Sequence, residues 1–123
     1  MSKLNQMVQY PTEPDLTRPL HQTFAALSDP TRMGFLESLT RRDASITELA
    51  RQAGISLTGT KKHVKVLESA GLVSTRKEGR TRVCRLGPRR LEREAAWIAN
   101  YKRTIEERLD HLGELLDRLK EES

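Results

Sequence analysis

The sequence predicts a mainly α-helical fold with one small β-hairpin, and three observations lead to this prediction. Two short amphipathic helices flank a tight turn after Gly54, and the second of them is basic. Two β-rich runs follow around Gly79, and the last third of the chain repeats apolar residues at seven-residue spacing. Two helices joined by such a short turn form a helix-turn-helix. A basic hairpin directly after it is the wing of a winged helix-turn-helix, which is the architecture we predict.

The chain is predicted to divide into three segments. Residues 1–16 contain two prolines and no periodicity, so we expect an irregular N-terminal arm. Residues 17–90 are predicted to form the winged helix-turn-helix, with a first helix over about 17–27. Residues 91–123 follow a proline and show one continuous helical pattern, so we expect a single long C-terminal helix.

Capping residues mark the ends of the helices that precede the basic one. Asp29 is suited to cap a helix whose first position is Pro30. Ser45 and Glu48 match a capping box, and Gly54 supplies a left-handed stop. The helix that begins at Pro30 is expected to have an apolar side made of Met33, Leu36 and Leu39, which repeat at helical spacing, with Phe35 adjacent to this set.

Composition limits the class of protein. The 123 residues are 36% hydrophobic and 32% charged, which suits one compact domain, and no apolar run approaches the length of a membrane-spanning helix. The N-terminus lacks the apolar core of a signal peptide, so we expect a cytoplasmic protein. The single cysteine, Cys84, cannot form an internal disulfide. No catalytic triad, metal triad or phosphate-cradling glycine loop is present, so we do not expect an enzyme.

Positive charge is concentrated in one short segment. The whole chain carries a net charge of +5, whereas residues 54–90 contain ten Lys or Arg and two Glu, a net charge of +8. Residues 91–123 carry a net charge of −3, and residues 1–53 balance. A segment of this kind is typical of a surface that faces phosphates, although a solvated basic face is the alternative.

The basic helix has an apolar side and a basic side. The apolar stripe, expected to pack on the two preceding helices, consists of Leu57, Thr60, Val64 and Leu67. The opposite side carries Thr58, Lys61, Lys62, Lys65 and Ser69. Lysines near the first turns oppose the helix dipole, an arrangement that favours an anion at the site. We therefore predict that this helix is a recognition helix that binds DNA.

We assign residues of the recognition helix and of the wing to the DNA interface. In the helix these are Ser56, Thr58, Gly59, Thr60, Lys61, Lys62, His63 and Lys65. Lys62 and Lys65 are expected to contact the DNA backbone. Bases are expected to be read by Thr58 and Lys61. In the wing, contacts with the adjacent minor groove or with phosphate are expected from Arg76, Lys77, Arg80 and Arg82.

Gly59 is unusual because glycine in a helix interior costs about 1 kcal/mol relative to alanine. Two interpretations remain open. In one, the missing side chain fits against a neighbouring helix or relaxes the first turn. In the other, it lets the helix approach the floor of the DNA groove.

The last helix carries a heptad pattern typical of helix–helix association. Strict seven-residue spacing relates Leu91, Ile98, Ile105, Leu112 and Leu119. Three further apolar residues follow members of this row by four positions: Ala95, Leu109 and Leu116. Lys102 interrupts the second row, so the pattern is imperfect.

The three blocks "FAALSDPTRMGFLESL", "SITELARQAGIS" and "KKHVKVLESAGLVSTRKEGR" resemble the ArsR/SmtB family of bacterial winged-helix repressors, in the same order and spacing. The similarity covers about residues 24–86. It implies a homodimer built through the first and last helices, a partly palindromic double-stranded operator, and in many members release of DNA by an inducer. It supports a dimer interface formed by Leu91, Ile98, Tyr101, Ile105, Leu109, Leu112, Leu116 and Leu119, with packing on the chain's own domain as the alternative.

The resemblance also marks family metal-site positions that this sequence does not fill. The family's two thiolate ligands fall on Ser45 and Thr47, which offer no soft ligand. On the last helix Asp110 and His111 match part of a second site, but its second histidine is absent. We therefore predict no metal site and no cofactor, and identify no inducer. A weak metal-binding set made of His21, Glu107, His111 and Glu114 is the remaining alternative. It is not the favoured interpretation, because a lone histidine among acids is more often a surface residue than a metal ligand.

Cys84 and the overall function each leave alternatives open. A small packed residue is the default for Cys84, and a redox sensor would lack a resolving cysteine within the chain. The favoured function is a dimeric transcriptional repressor without a metal site. One alternative is an inducer- or metal-responsive repressor with a non-standard site at the dimer interface. Another is a winged helix used for contact with an acidic protein partner.

Overall fold

The structure, a computed structural model, describes residues 19–122. Within this range the chain is mainly helical, with one small antiparallel sheet, as the sequence predicts. The elements in chain order are α1 Leu20–Leu27, α2 Pro30–Arg41, β1 Ala44–Ser45, α3 Ile46–Ala53, α4 Leu57–Ser69, β2 Val73–Glu78, β3 Thr81–Leu86 and α5 Glu92–Glu122. The predicted arm over residues 1–16, and the predicted helix start at Thr17, lie outside the described residues.

The predicted helix caps are confirmed. The Asp29 carboxylate accepts the Arg32 backbone N–H at 3.0 Å, and Pro30 occupies the first helical position of α2. Ser45 and Glu48 form a reciprocal capping box at the start of α3. These hydrogen bonds to backbone N–H groups hold the pKa values of both carboxyl groups below their ordinary range. Gly54 ends α3 with a φ of 68°, a left-handed conformation that glycine adopts without steric cost.

The sheet contains the predicted hairpin and one strand that the sequence did not predict. Strands β2 and β3 pair around Gly79, which has a φ of 61°. Strand β1 pairs with the other edge of β3, so the order is β1-β3-β2, with Ala44 opposite Cys84. Because β1 is only two residues long and leads directly into α3, this pairing ties the wing to the start of the helix-turn-helix.

The core lies where α2, α3 and α4 meet the sheet. Its fully or almost fully buried side chains include Phe35, Leu39, Leu49, Val64, Leu67 and Cys84. The prediction that Leu57 packs in the core is wrong, since it is 48% exposed, and Met33 in the apolar set of α2 is 49% exposed. Residues Phe35 and Leu39, four apart, define the buried side of α2, and Met33 points away from it. In α4 the buried set begins one turn later than predicted, at Thr60.

The chain divides into two compact units between Arg90 and Leu91. The first unit contains α1 to α4 and the sheet, and the second consists of α5. Helix α5 has 31 residues, a length of about 46 Å. None of the helices in the described part of the chain combines the length and the apolarity needed to span a bilayer.

Candidate nucleic-acid interface

The start of α4 is built by Ser56. Its hydroxyl accepts the Gly59 backbone N–H at 3.0 Å, while its carbonyl accepts the Thr60 hydroxyl at 2.9 Å. No acidic residue lies in the first turn, so the exposed N–H groups of this helix end face no carboxylate of their own turn. The basic side chains that follow therefore stand beside a positively polarised helix end.

Thr60 belongs to the core and not to the DNA-facing surface. Its side chain is fully buried, and its hydroxyl is bonded within the helix. The prediction that Thr60 contacts DNA is therefore wrong for this conformation. The helical spacing of the sequence also placed Thr60 in the apolar stripe of α4, and the structure confirms that placement.

The basic side of α4 is fully accessible. Thr58, Lys61, Lys62 and Lys65 are all exposed, whereas Thr60, Val64 and Leu67 are buried. At 3.6 residues per turn these two sets occupy opposite sides of the helix. The recognition helix can therefore present a continuous row of three lysines and one hydroxyl to a groove of DNA without disturbing the core.

His63 lies on the flank of α4 and packs against α2. Its Nδ1 atom is 3.1 Å from Arg32 Nη1 and 3.9 Å from Asp29 Oδ2, and its ring meets Phe35 edge to face. Because arginine only donates, Nδ1 must accept this hydrogen bond, which places the ring proton of neutral His63 on Nε2. The side chain is half-buried, and its contacts are those of a packing residue.

The four wing residues assigned to the DNA interface have different surroundings. Arg76 is bound by its own strand, because Glu78 Oε2 accepts from Arg76 Nε at 2.7 Å and lies 2.6 Å from Nη2. Lys77 and Arg80 are exposed near the tip. Arg82 donates from Nη1 to the Thr75 hydroxyl at 2.9 Å. The wing cations are therefore not equivalent, and Arg76 is already paired with a carboxylate.

A groove between α4 and the hairpin brings the helix and wing cations together. Its volume is about 620 Å³, and its walls include Ile46 and Thr47 at the start of α3. The predicted interface residues in its walls are Lys61, Lys65, Lys77, Arg80 and Arg82. Two lining residues that sequence reasoning missed are Glu68 and Thr75, which face each other across the groove from α4 and β2. Thr58, Lys62 and Arg76 lie outside these walls, so the groove gathers only part of the predicted set.

Within residues 19–122, no neighbouring helix packs against Gly59 within 4 Å of a Cβ position. A Cβ atom at this position would lie 3.2 Å from Ser56 Oγ and 3.8 Å from Ile55 Cδ1, both in the turn just before the helix. Close packing against α2 or α3 therefore does not explain the glycine. The nearest group is the Ser56 hydroxyl, which accepts the Gly59 N–H in the helix cap, so a side chain at position 59 would crowd this cap.

The apolar row of α5 is exposed along its whole length. Ile105 is 40% exposed and Leu109 is 61% exposed, and the exposed fractions of Ile98, Tyr101, Leu112, Leu116 and Leu119 fall between these values. Leu91 departs from the prediction, because it lies before the helix with a φ of 58° and caps it through its carbonyl, which accepts the Ala95 N–H. The helical row therefore begins at Ile98.

Cys84 and the histidines are the candidate soft and nitrogen ligands for a metal ion in the part of the chain that the structure describes. The Cys84 side chain is fully buried, and this burial raises the pKa of its thiol to about 11, so the thiol stays protonated at neutral pH. Across residues 19–122 no group of three or more His, Cys, Asp or Glu side chains is arranged to hold a metal ion.

The helix pair, the hairpin and the basic groove define a winged helix-turn-helix domain, the class used for binding duplex DNA. Comparison with known proteins agrees: a family model described as "Helix-turn-helix domain" matches residues 27–76. A solved ArsR-like transcriptional regulator from Rhodococcus sp. RHA1 is 32% identical, with a TM-score of 0.67 over 80% of this chain and 90% of that one. A solved ArsR family transcriptional regulator is 36% identical, with a TM-score of 0.64 over 71% of this chain and 90% of that one.

The chain therefore belongs to the ArsR family of transcriptional regulators. A curated relative from Streptomyces lividans, named "Probable mercury resistance operon repressor", is 36% identical over 69 residues, which are 56% of this chain and 53% of that protein. The chain spans about half the length of such curated relatives. The similarity thus concerns the DNA-binding domain above all.

Proposed function

We propose that this chain is a dimeric, sequence-specific DNA-binding repressor of transcription. The observation that carries the proposal is the groove between α4 and the wing, whose walls hold five basic side chains and one acidic side chain. Membership of a family of transcriptional regulators supports it, as does a relative whose name states repression. The proposal assigns the chain no catalytic activity and places its action in the cytoplasm.

The proposed interface follows from the surroundings of each side chain. Helix α4 enters the major groove, where Thr58 and Lys61 meet base edges while Lys62 and Lys65 meet phosphates. Ser56 and His63 support this helix from its cap and its flank. The wing reaches the neighbouring minor groove or phosphates through Lys77, Arg80 and Arg82, with Arg76 as a weaker contributor because of its ion pair with Glu78.

A second copy of the chain completes the proposed binding unit. Exposure of the apolar row of α5 to water is energetically unfavourable for an isolated helix. The row also has the heptad spacing of helix–helix interfaces. Two-fold pairing gives two recognition helices, which match two half-sites of a partly palindromic operator about 34 Å apart. Simultaneous engagement of both half-sites makes binding much tighter than that of one domain.

Replacing Lys62 and Lys65 with alanine is expected to weaken DNA binding at all sequences alike. Each lysine that contacts phosphate releases condensed counterions, so the slope of log affinity against log salt should fall by about 2 for each protomer. Fluorescence anisotropy with a labelled duplex recovered by selection from random DNA, titrated at several salt concentrations, measures both quantities.

The matched control removes two positive charges from α5. Arg103 and Arg118 are exposed on the side of the helix away from the apolar row, so their replacement by alanine should change the slope much less. If the lysine variant keeps the wild-type affinity and slope, α4 is not the DNA-binding surface.

Replacing Gly59 with leucine tests close approach of α4 to DNA. Within residues 19–122 the heavy atoms that a Cβ at Gly59 would meet within 4 Å are both side-chain atoms of the preceding turn, so we expect the fold and the oligomeric state to be retained. A bulky side chain on the approaching helix should abolish binding to the selected duplex. Circular dichroism, light scattering and anisotropy separate these effects, and Gly34→Leu in α2, where a Cβ meets no atom within 4 Å, is the control.

Two outcomes would contradict this role of Gly59. If Gly59→Leu unfolds while the control Gly34→Leu remains folded, the glycine is needed for the helix cap at Ser56. Wild-type DNA affinity in a folded variant would show that the helix does not come close to the groove floor at this residue.

A further inference from the structure

Three hydrogen-bonded side chains in the walls of the groove connect α4 with the wing. Arg82 Nη1 on β3 donates to the Thr75 hydroxyl on β2 at 2.9 Å, and this hydroxyl lies 3.0 Å from Glu68 Oε2 on α4. All three residues are in the groove walls. These two hydrogen bonds thus link the recognition helix directly to both strands of the wing.

The direction of each hydrogen bond is fixed by chemistry. A guanidinium group only donates and an ionised carboxylate only accepts, while a hydroxyl carries a single proton. Thr75 must therefore accept from Arg82 and donate to Glu68. Removing the hydroxyl breaks both links, and removing the carboxylate leaves the hydroxyl without its acceptor.

Arg82 differs from the neighbouring Arg76 in the way it is held. Glu78 contacts two nitrogens of Arg76 directly, which neutralises that cation locally. Arg82 is held through a neutral hydroxyl, so its charge is not cancelled by a directly bonded carboxylate. Thr75 accepts from one of its five N–H donors, and with respect to residues 19–122 the others are available to a ligand in the groove.

We propose that Thr75 and Glu68 are positioning residues that pre-organise Arg82 for a phosphate of the DNA backbone. The inference rests on the proposed function, because a helix in the major groove and a wing in the minor groove require one backbone strand to cross the space between them. Fixing a long side chain before binding removes an entropic cost that would otherwise be met on association. This role explains why an acidic residue, Glu68, lies in a groove that is otherwise basic.

Two substitutions of Glu68 separate this role from simple electrostatics. Both Glu68→Gln and Glu68→Ala remove the negative charge, but only glutamine keeps an oxygen that accepts from Thr75. If Glu68 acts only through its charge, both variants should bind DNA more tightly than wild type and to the same extent. We expect instead that Glu68→Ala binds about two- to tenfold more weakly than Glu68→Gln, the range that corresponds to ordering one long side chain.

Thr75 provides the second pair of variants. Thr75→Val removes the hydroxyl and suits a β-strand, whereas Thr75→Ser retains the hydroxyl. We expect Thr75→Val to lose about two- to tenfold in affinity and part of the salt slope, and Thr75→Ser to restore both. In an Arg82→Ala background, Thr75→Val should have no further effect, because a residue that acts through Arg82 cannot act in its absence.

The experiment uses the full chain and the duplex selected from random DNA, with thermal melting as the check of folding. Equal affinities of Glu68→Gln and Glu68→Ala, or additive effects of Thr75→Val and Arg82→Ala, would overturn the positioning role while leaving the proposed function in place. If the wild-type chain binds no duplex, the proposed function fails and the positioning role fails with it. Glu68 is exposed, so its variants give a result even if Thr75→Val does not fold.

Discussion

Replacing Ile105 and Leu112 with glutamate is expected to dissociate the proposed dimer and to weaken operator binding at least a hundredfold. In a two-fold interface each substitution occurs twice on facing surfaces, so four carboxylates would meet where apolar side chains now lie exposed. Burying an unpaired charge is strongly unfavourable, which removes the driving force for pairing. Loss of the dimer also removes the linkage between half-sites, which contributes about 10² to 10⁴ in affinity.

Light scattering measures the first effect, as a fall from twice the chain mass to the 14.0 kDa of a single chain. The matched control is Ala96→Glu with Asn100→Glu, which adds the same charge at two exposed positions on the side of α5 away from the apolar row. Dimers that persist in the Ile105 and Leu112 variant would show that the heptad row is not the interface. Full operator affinity in a monomeric variant would show that pairing is not needed for binding.

Replacing Gly87 with alanine is expected to destabilise the domain by about 3 kcal/mol or more, at the upper end for overpacking a well-packed site. A Cβ at this position would overlap the carbonyl oxygen of Gly71 and lie 3.2 Å from the carbonyl carbon of Leu72. Both are backbone atoms, so no change of rotamer relieves the overlap. The Gly87 N–H also donates to the Leu72 carbonyl at 2.9 Å, a bond that separation of the two segments would break.

Thermal unfolding followed by circular dichroism checks this expectation. A loss of about 3 kcal/mol should lower the melting temperature of a domain of this size by more than about 10 °C. Gly34→Ala is the control, because a Cβ there meets nothing within 4 Å and helix propensity alone should raise stability by up to about 1 kcal/mol. A Gly87→Ala protein as stable as wild type would mean that β3 and the turn after α4 are not packed as described.

Local chemistry explains why much of the fold could be predicted. The caps at Asp29 and Ser45, the left-handed stop at Gly54 and the turn at Gly79 each depend on a few adjacent residues, so their signals are visible in the sequence. Apolar periodicity likewise located α4, and two β-rich runs around Gly79 located the hairpin strands. These elements determine the helix-turn-helix and the wing.

Features set by distant parts of the chain could not be predicted in the same way. Strand β1 is two residues long and exists only because β3 is beside it. Met33 and Leu57 continue the apolar spacing of their helices, but both side chains are exposed. The neighbouring elements cover the side of each helix that carries Phe35 and Leu39 in α2 and Thr60, Val64 and Leu67 in α4. The need for glycine at position 87 arises from the Gly71 carbonyl, which belongs to the turn before the hairpin.

In the candidate interface, too, some features could be predicted from adjacent residues and others depend on distant parts of the chain. Lysines on α4 and cations on the wing were identified from charge together with helical spacing and the hairpin pattern. Their meeting in one groove depends on the packing of the hairpin against the helix. Thr60 was placed both in the apolar stripe and among the interface residues, and the structure buries it. Glu68 and Thr75 gave no signal in the sequence, because a glutamate followed at some distance by a threonine is common in any basic segment.

Selection of bound sites from random duplex DNA by the wild-type chain is the decisive test of the proposed DNA binding. We expect enrichment of a partly palindromic sequence whose half-sites are about one helical turn, or about 34 Å, apart. We also expect the affinity for the enriched duplex to fall steeply with salt. Recovery of no enriched sequence, with no salt-dependent binding to any duplex, would contradict the assignment of this winged helix as a DNA-binding regulator.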